Sequence, residues 1–301
     1  MTQTPAPKNE DSAAGFGFAL TVYLLWGFLP IYMKALSLVP TIEVLAHRVI
    51  WSVPLSILVL VVLGRTADLR AALRSPRMLG MAALTAALIS INWGIYVWSI
   101  QTGHALEAAL GYYINPLFSI FLGAVLLGEK LSAAQKAAIA LAALAVLVLT
   151  FASGTIPFVA LGLTVTWGIY AYLKKQLPIG PNQGFALEVL ILFPAAMTYA
   201  IWLQIQGTAT FLGGNPTVDL LLIGLGLVTA GPLMIYANAA KRLRLSTIGI
   251  LQYIAPTMIF LTAVLWFDEP FDLAHQIAFP MIWAALAIYT ISLVQQARAR
   301  A

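Results

Sequence analysis

The chain has 301 residues, of which only 9% are charged and 61% are hydrophobic, and its mean hydropathy is +0.91. A soluble domain carries charge on about a quarter of its residues, so the composition excludes a soluble globular fold and indicates a protein embedded in lipid. The net charge is +5, but the basic residues are scattered between apolar blocks and form no basic surface for nucleic acid. The sequence has no cysteine, which excludes disulfides and thiolate metal sites.

Ten apolar segments, each long enough to cross a bilayer, follow a polar stretch at 1–14 that we interpret as a disordered cytoplasmic tail. The segments lie at 15–36, 42–64, 78–101, 105–127, 132–152, 155–174, 184–206, 217–239, 247–267 and 273–295. Because the apolar runs are continuous and do not alternate, the sequence predicts an all-α integral membrane protein with ten transmembrane helices. A basic stretch at 296–301 is interpreted as a second cytoplasmic tail.

The basic residues predict the orientation of these spans. If the N-terminus is cytoplasmic, fourteen of the 16 Lys and Arg residues lie on the cytoplasmic side. The two others, Lys34 and Arg48, fall at or inside the outer ends of the first two spans. Since cytoplasmic connections are enriched in Lys and Arg, both termini are predicted to be cytoplasmic.

The two halves of the chain resemble each other at an offset of about 140 residues. The matching positions are Trp26-Gly27 with Trp167-Gly168, Ile95-Tyr96 with Ile235-Tyr236, Tyr113-Ile114 with Tyr253-Ile254, and Glu129 with Glu269. We therefore expect two five-helix repeats, at 15–152 and 153–295. Because each repeat has an odd number of spans, the second must enter the bilayer inverted. Inverted repeats that enclose a site near the midplane are typical of secondary transporters.

Pro116 and Pro256 lie near the middle of the fourth and ninth spans and are predicted helix hinges. A proline inside a helix leaves the carbonyl four residues earlier without its hydrogen bond, and in a bilayer that carbonyl needs another partner. The two kinked helices are therefore expected to line a substrate cavity, although both prolines could serve packing alone. The expected lining residues are Trp26, Asn92, Tyr96, Tyr112, Tyr113, Asn115, Trp167, Tyr236, Asn238, Gln252 and Tyr253. For any one of them, core packing or interhelical hydrogen bonding is the alternative role.

Ionisable residues inside spans are rare and often mark functional sites. Five are candidates for intramembrane polar or proton-coupling roles: Lys34, Glu43, His47, Arg48 and Glu188. Glu43 and His47 are four residues apart and share a helix face, and with Lys34 and Arg48 they could form a polar cluster at the outer mouth of the cavity. Snorkelling of long side chains to the headgroups is the alternative, and facilitated export needs no titrating residue.

No motif in the sequence indicates an enzyme. There is no G-x-x-x-x-G-K-[ST] phosphate loop and no H-E-x-x-H zinc motif, and the three histidines are scattered. We therefore expect no catalytic residues, no cofactor and no metal.

Three segments carry a resemblance to a known family. They are EVLAHRVIWS (43–52), LEAALGYYINPLFSIFLGAVLLGE (106–129) and KRLRLSTIGILQYIAPTMIFLTAV (241–264). Each resembles the RarD type of EamA-domain transporter in the drug/metabolite transporter superfamily and, more distantly, the YddG-type amino-acid exporters. The resemblance implies ten helices in two inverted EamA-like repeats and an inner-membrane exporter of amino acids or related metabolites. It supplies no binding motif that can be transferred residue by residue.

The sequence thus predicts a secondary transporter in the cell inner membrane that works by alternating access. The expected substrates are small metabolites, first of all amino acids, including aromatic or hydrophobic ones, and then amphiphilic drugs. The expected partners are this solute and the lipid bilayer, without nucleic acid and with the monomer as the working unit. A membrane channel or a scaffold without transport is the alternative.

Overall fold

The computed structural model describes residues 12–128, 131–240, 242–243 and 245–299. This part of the chain forms twelve helices and no strand. The helices are α1 (Ala13–Ala35), α2 (Thr41–Val62), α3 (Thr66–Leu73), α4 (Pro76–Gln101), α5 (Ala105–Leu127), α6 (Ala133–Ser153), α7 (Phe158–Gln176), α8 (Pro181–Gln206), α9 (Pro216–Ala240), α10 (Leu245–Leu251), α11 (Ile254–Leu265) and α12 (Leu273–Ala299). The all-α prediction is confirmed. Most of the predicted tail at 1–14, Glu129 and the end of the basic stretch at 296–301 lie outside the described residues.

Eight of the described helices are long and apolar enough to cross a membrane: α1, α2, α4, α5, α6, α8, α9 and α12. Two further apolar helices, Phe158–Lys174 and Ile254–Leu265, are shorter. The protein is therefore a multi-pass membrane protein. The predicted segments coincide with helices to within a few residues because an uninterrupted apolar run of this length has few other stable arrangements in lipid.

Two elements differ from the sequence prediction. The ninth predicted span, 247–267, consists of the two helices α10 and α11, which are separated by a turn at Gln252 and Tyr253. Pro256 has no N–H to donate to the carbonyl of Gln252, so a continuous helix would lose a hydrogen bond at this point. Its counterpart α5 runs through Pro116 without interruption. The other difference is α3, a short helix that lies between the second and third predicted spans.

Capping side chains fix several helix ends. Ser132 and Gln135 form a reciprocal capping box at the start of α6. Glu269 is buried, and its two carboxylate oxygens accept hydrogen bonds from the backbone N–H groups of Ala105 and Leu106, at 2.7 and 2.8 Å. A carboxylate is favourable there because the first N–H groups of a helix have no partner within the helix. Glu269 thus ties the chain after α11 to the start of α5.

The helices pack in a reciprocal pattern across the two halves of the chain. α1 packs on α9 and α11, whereas α7 packs on α4 and α5. In addition, α2 packs on α8, α5 on α11 and α6 on α12. Three of these contacts join a helix to its own counterpart in the other half. The others occur in equivalent pairs, in which the two halves exchange roles. A two-fold relation between the halves would generate this set of contacts.

The two Trp-Gly pairs show the same reciprocity in atomic detail. A Cβ at Gly27 would meet the side chain of Met258, and a Cβ at Gly168 would meet the ring of Phe118. Gly168 follows Gly27 by 141 positions, and Met258 follows Phe118 by 140. Both glycines therefore allow close packing on equivalent residues of α11 and α5, as small residues do in membrane helix interfaces.

Candidate solute cavity

A cavity of about 140 Å³ lies at the centre of the bundle. Seven helices line it, namely α1, α2, α4, α5, α7, α9 and α11, and Gln252 lines it from the turn that precedes α11. One water needs roughly 10–15 Å³, so the space is large enough for a small solute. Its wall combines aromatic rings with amides, hydroxyls and a single guanidinium group.

Most residues predicted for the substrate site line this cavity. These residues are Trp26, Asn92, Tyr96, Tyr112, Asn115, Trp167 and Gln252. The predicted hinge residue Pro256 and the ionisable Arg48 line it as well. Tyr113, Tyr236 and Tyr253 are not part of the wall, and the side chain of Asn238 lies outside the described residues.

Tyr113 and Tyr253 lie where α5 packs on α11. Their rings stack with centroids 6.5 Å apart and planes inclined by 28°. The hydroxyl oxygens of Tyr113 and Thr257 are 2.7 Å apart, within hydrogen-bond distance. In this structure the two tyrosines therefore hold the interface between the two repeat-related helices, which is the packing role that the sequence analysis left open for them.

Asn92 connects two helices at the cavity wall. Its side-chain N–H₂ donates to the carbonyl of Leu163 at 3.1 Å and to the hydroxyl of Thr166 at 2.9 Å, so it joins α4 to α7. An amide buried in a bilayer needs such partners. Asn92 thus faces the cavity while its donor atoms are already used between helices.

Two aromatic pairs form much of the wall. Tyr23 and Trp26 come from α1, and Trp167 and Tyr170 come from α7; the ring centroids are 5.7 Å apart within each pair. Tyr236 packs behind the first pair, with its ring centroid 5.8 Å from that of Trp26. Such rings offer flat faces on which an apolar or aromatic solute can stack.

Arg48 is the only ionisable residue other than tyrosine among the described residues that line the cavity. It is buried in α2, with 5% of its surface exposed. Its guanidinium carbon lies 4.4 Å from the centroid of the Trp93 ring in α4. The Nε and Nη1 atoms of Arg48 have no hydrogen-bond partner in the described part of the chain.

The other three residues of the predicted polar cluster lie away from this cavity. Glu43 accepts hydrogen bonds from the backbone N–H groups of Thr210 and Phe211, at 2.8 and 3.0 Å. His47 Nδ1 accepts a hydrogen bond from Trp51 Nε1 at 3.1 Å, and with Glu43 it lines a groove between α2 and α8. Lys34 lies over the ring of Phe267, 5.2 Å from its centroid. The structure therefore brings Glu43 and His47 together and places Lys34 and Arg48 elsewhere.

Glu188 forms a buried ion pair next to the cavity. Its Oε1 atom lies 2.6 Å from Nζ of Lys174, and its side chain is 1% exposed. The hydroxyl of Tyr170 donates to Glu188 Oε2 at 3.3 Å. Since Tyr170 lines the cavity, this ion pair lies directly behind the wall.

Several lining residues were not among the sequence predictions. The most informative are Tyr23, Trp93, Tyr170 and Thr229. A helical spacing of three places Tyr23 beside Trp26 and Tyr170 beside Trp167, so the 3.6-residue periodicity could have found those two. Trp93 lies three positions before the predicted Tyr96 and carried the same signal. Thr229 carried none, because its orientation depends on how α9 is rotated against its neighbours.

The cavity wall repeats along the chain. Four pairs of lining positions are separated by 140 residues: Ile89 and Thr229, Trp93 and Leu233, Tyr112 and Gln252, and Asn115 and Ala255. Trp26 and Trp167 are 141 residues apart. Both halves therefore contribute equivalent positions to one cavity. The residues at these positions differ chemically, so the wall is not symmetric in its polarity.

The described part of the chain contains no group of three His, Asp or Glu residues that could hold a metal ion. The fold and the cavity instead define a class of protein, the multi-pass helical membrane proteins with a solute-sized space between helices.

Comparison with known proteins identifies the family. Residues 13–151 match the model of the EamA-like transporter family. Over 286 residues the chain is 41% identical to an "Uncharacterized transporter" of Vibrio cholerae, a match that covers 95% of this chain and 94% of that one. Over 290 residues it is 38% identical to Protein RarD of Escherichia coli, with 96% and 98% covered. The chain therefore belongs to the RarD-type EamA transporters of the drug/metabolite transporter superfamily, and the family resemblance is confirmed.

Two further matches are informative. The chain is 32% identical over 281 residues to the "Chloramphenicol-sensitive protein RarD" of Pseudomonas aeruginosa, with 92% of this chain and 93% of that one covered. A solved crystal structure superimposes with a TM-score of 0.61 at 20% identity, covering 95% of this chain and 99% of the other. At that identity the second match supports the fold alone.

Proposed function

We propose that this membrane transporter is a secondary exporter of small amphiphilic metabolites, first of all amino acids, that works by alternating access around the central cavity. The observation that carries this proposal is the cavity itself, whose wall combines aromatic rings with polar atoms between the apolar helices. Solute sites in transporters lie at such positions. We further propose that the protein lies in the cell inner membrane with both termini in the cytoplasm.

The architecture in this proposal is ten spans in two inverted repeats, at 15–152 and 153–295. The reciprocal helix contacts and the equivalent packing of Gly27 and Gly168 support it. The recurrence of cavity positions at an offset of 140 residues supports it independently. A cavity that lies between two such units can open alternately to either side when one unit rocks against the other.

The hinge of this motion is proposed at the interrupted helix. The break between α10 and α11 leaves Gln252 at the cavity wall, one turn before Pro256. An interruption of regular hydrogen bonding is a place where backbone angles can change at low cost. Pro116 in the continuous helix α5 would then be the more rigid of the two repeat-related positions.

Proton coupling, if the exporter uses it, is best placed at Glu188. This carboxylate contacts Tyr170 of the cavity wall and is paired with Lys174. Glu43 accepts hydrogen bonds from two backbone N–H groups of a loop at Oε1, and His47 accepts a hydrogen bond from Trp51. Those two residues line the groove between α2 and α8 and would not contact a solute in the central cavity.

Transport should be measurable with the full chain in liposomes. We expect efflux and counterflow of labelled amino acids from a panel that includes phenylalanine, leucine and serine, with chloramphenicol as an added drug because of the name of one relative. Trp167→Ala should lower the rate at least tenfold, because it removes an aromatic face from the cavity. The matched control is Trp202→Ala, which changes an exposed residue on the outside of the bundle.

The same assay separates the alternatives. A channel would carry ionic current without saturation, and a scaffold would show no dependence on any solute. The proposal is wrong if no member of the panel gives efflux or counterflow above that of protein-free liposomes. If Trp167→Ala and Trp202→Ala have equal transport rates, the central cavity is not the solute site.

Topology should be tested with reporters fused after residue 301 and within the connection at 207–215. We expect the C-terminal fusion to be active in the cytoplasm and the second fusion to be active in the periplasm, because an odd number of spans separates the two points. A periplasmic signal from the C-terminal fusion would contradict the ten-span arrangement.

A further inference from the structure

We propose that the central cavity selects its solutes by a carboxylate that Arg48 binds, and that the ammonium group of an amino acid is dispensable. This inference rests on the proposed function and names its substrate class: organic anions with one negative charge and an aromatic or apolar body. Amino acids would then be substrates because of their carboxylate, and acids without an amino group should bind comparably.

The environment of Arg48 favours an anionic ligand. The side chain is buried and lines the cavity, and its Nε and Nη1 atoms have no hydrogen-bond partner among the described residues. Arginine stays protonated in proteins, so it presents a permanent cation with five donors in a planar fork. Buried N–H donors without acceptors are unfavourable, and a carboxylate that enters the cavity would supply oxygen acceptors to the guanidinium.

No acidic side chain in the described part of the cavity wall compensates this charge. Among the described residues that line the cavity there is no Asp or Glu. Glu43 is bound to the loop at Thr210 and Phe211. Glu188 lies behind the wall and is neutralised by Lys174 at 2.6 Å. The ring of Trp93 faces the guanidinium at 4.4 Å, but a ring face attracts a cation without accepting its N–H bonds as a carboxylate does.

The number of cations in the cavity wall indicates how many negative charges the solute carries. Arg48 is the single cation among the described lining residues, so the cavity complements one negative charge. A phosphate monoester would bring nearly two negative charges and three acceptor oxygens. The cavity therefore fits a monocarboxylate better than a phosphorylated metabolite.

The remaining polar atoms explain why an amino group is tolerated but not required. The Tyr96 hydroxyl, the Asn115 amide oxygen and the Thr229 hydroxyl line the cavity without hydrogen-bond partners in the described part of the chain. These groups are neutral, and hydroxyls can donate or accept. They can accept an N–H from a solute or bind water in its place, so they give an ammonium group no charge-based advantage.

The experiment compares solutes that differ in one charged group. The full chain, purified in detergent, is titrated with L-phenylalanine, with 3-phenylpropionate, which lacks the ammonium group, and with L-phenylalaninamide, which lacks the carboxylate. Binding is measured as the shift of the thermal unfolding temperature with concentration. We expect the apparent Kd values of phenylalanine and 3-phenylpropionate to agree within about threefold. The amide should bind about 10- to 100-fold more weakly, the range expected when a charged hydrogen-bond partner is lost.

Variants assign this selectivity to Arg48. Arg48→Gln should remove the difference between 3-phenylpropionate and phenylalaninamide, and Arg48→Lys should keep part of it, because an ammonium retains the charge but not the planar fork. Arg65→Gln removes an equal charge from an exposed position outside the cavity and should keep the selectivity of the parent chain. The comparison of solutes on the parent chain needs no variant and holds even if Arg48→Gln fails to fold.

The outcomes separate this inference from the proposed function. Equal binding of the amide and the two acids, or binding by neither acid, overturns the carboxylate selection. Retention of the full selectivity in Arg48→Gln overturns the role of Arg48. If phenylalanine, 3-phenylpropionate and phenylalaninamide are transported in liposomes at equal rates, only this inference fails. If the acids bind selectively and nothing is transported, the exporter function fails and the anion site stands.

Discussion

Replacing Lys174 by methionine should lower the free energy of unfolding by about 3–5 kcal/mol. Lys174 Nζ lies 2.6 Å from Oε1 of Glu188, whose side chain is only 1% exposed. The substitution leaves a buried carboxylate whose remaining polar contact is the hydroxyl of Tyr170 at 3.3 Å. Breaking a buried ion pair by removing one partner is costly because the other charge stays out of water. The measurement is unfolding in mixed micelles, followed by circular dichroism.

The double variant Lys174→Met/Glu188→Leu should recover most of that loss, because it removes both charges together. Lys136→Met changes an exposed lysine and should alter the unfolding free energy by less than about 0.5 kcal/mol. An equal loss in the single and double variants would mean that packing of the lysine stem, and not the charge, accounts for the effect. An unchanged Lys174→Met variant would contradict the buried ion pair.

Most of the fold was predictable from the sequence because lipid allows so few arrangements. An apolar run of about 20 residues has to satisfy its backbone within itself, so the bounds of α4 and α5 follow closely from the predicted 78–101 and 105–127. The interruption before α11 was not predicted, since Pro116 lies in a similar sequence context and α5 stays continuous there. The difference depends on tertiary contacts that a local pattern does not contain.

The cavity was predictable in part, for a similar reason. Aromatic and amide residues near the middle of spans have few places other than the bundle interior, so Trp26, Asn115 and Trp167 were found. Which ionisable side chain faces the cavity was not predictable. Glu43 and Arg48 are five positions apart on α2, and they point to partners 167 and 45 positions away, at Thr210 and Trp93.

Gly226→Ala should destabilise the protein by about 1–3 kcal/mol or more, although alanine is the better helix former. A Cβ at position 226 in α9 would overlap the backbone carbonyl oxygen of Trp51 in α2. A backbone atom cannot rotate aside as a side chain can, so the two helices have to separate. The measurement is the unfolding temperature followed by tryptophan fluorescence. Gly17→Ala and Gly80→Ala are matched controls, because nothing lies within 4 Å of a Cβ at either position.

The same substitution should also weaken solute binding, because the two helices that Gly226 holds together both reach the cavity. Arg48 lies one turn before Trp51 on α2, and Thr229 lies one turn after Gly226 on α9. Separating α2 from α9 would move the guanidinium away from the opposite wall, so the preference for 3-phenylpropionate over phenylalaninamide should shrink even where the variant stays folded. If Gly226→Ala unfolds at the parent temperature and keeps the full preference, the close backbone contact does not set the width of the cavity. If it loses stability but keeps the preference, Arg48 is positioned by its contact with Trp93 alone.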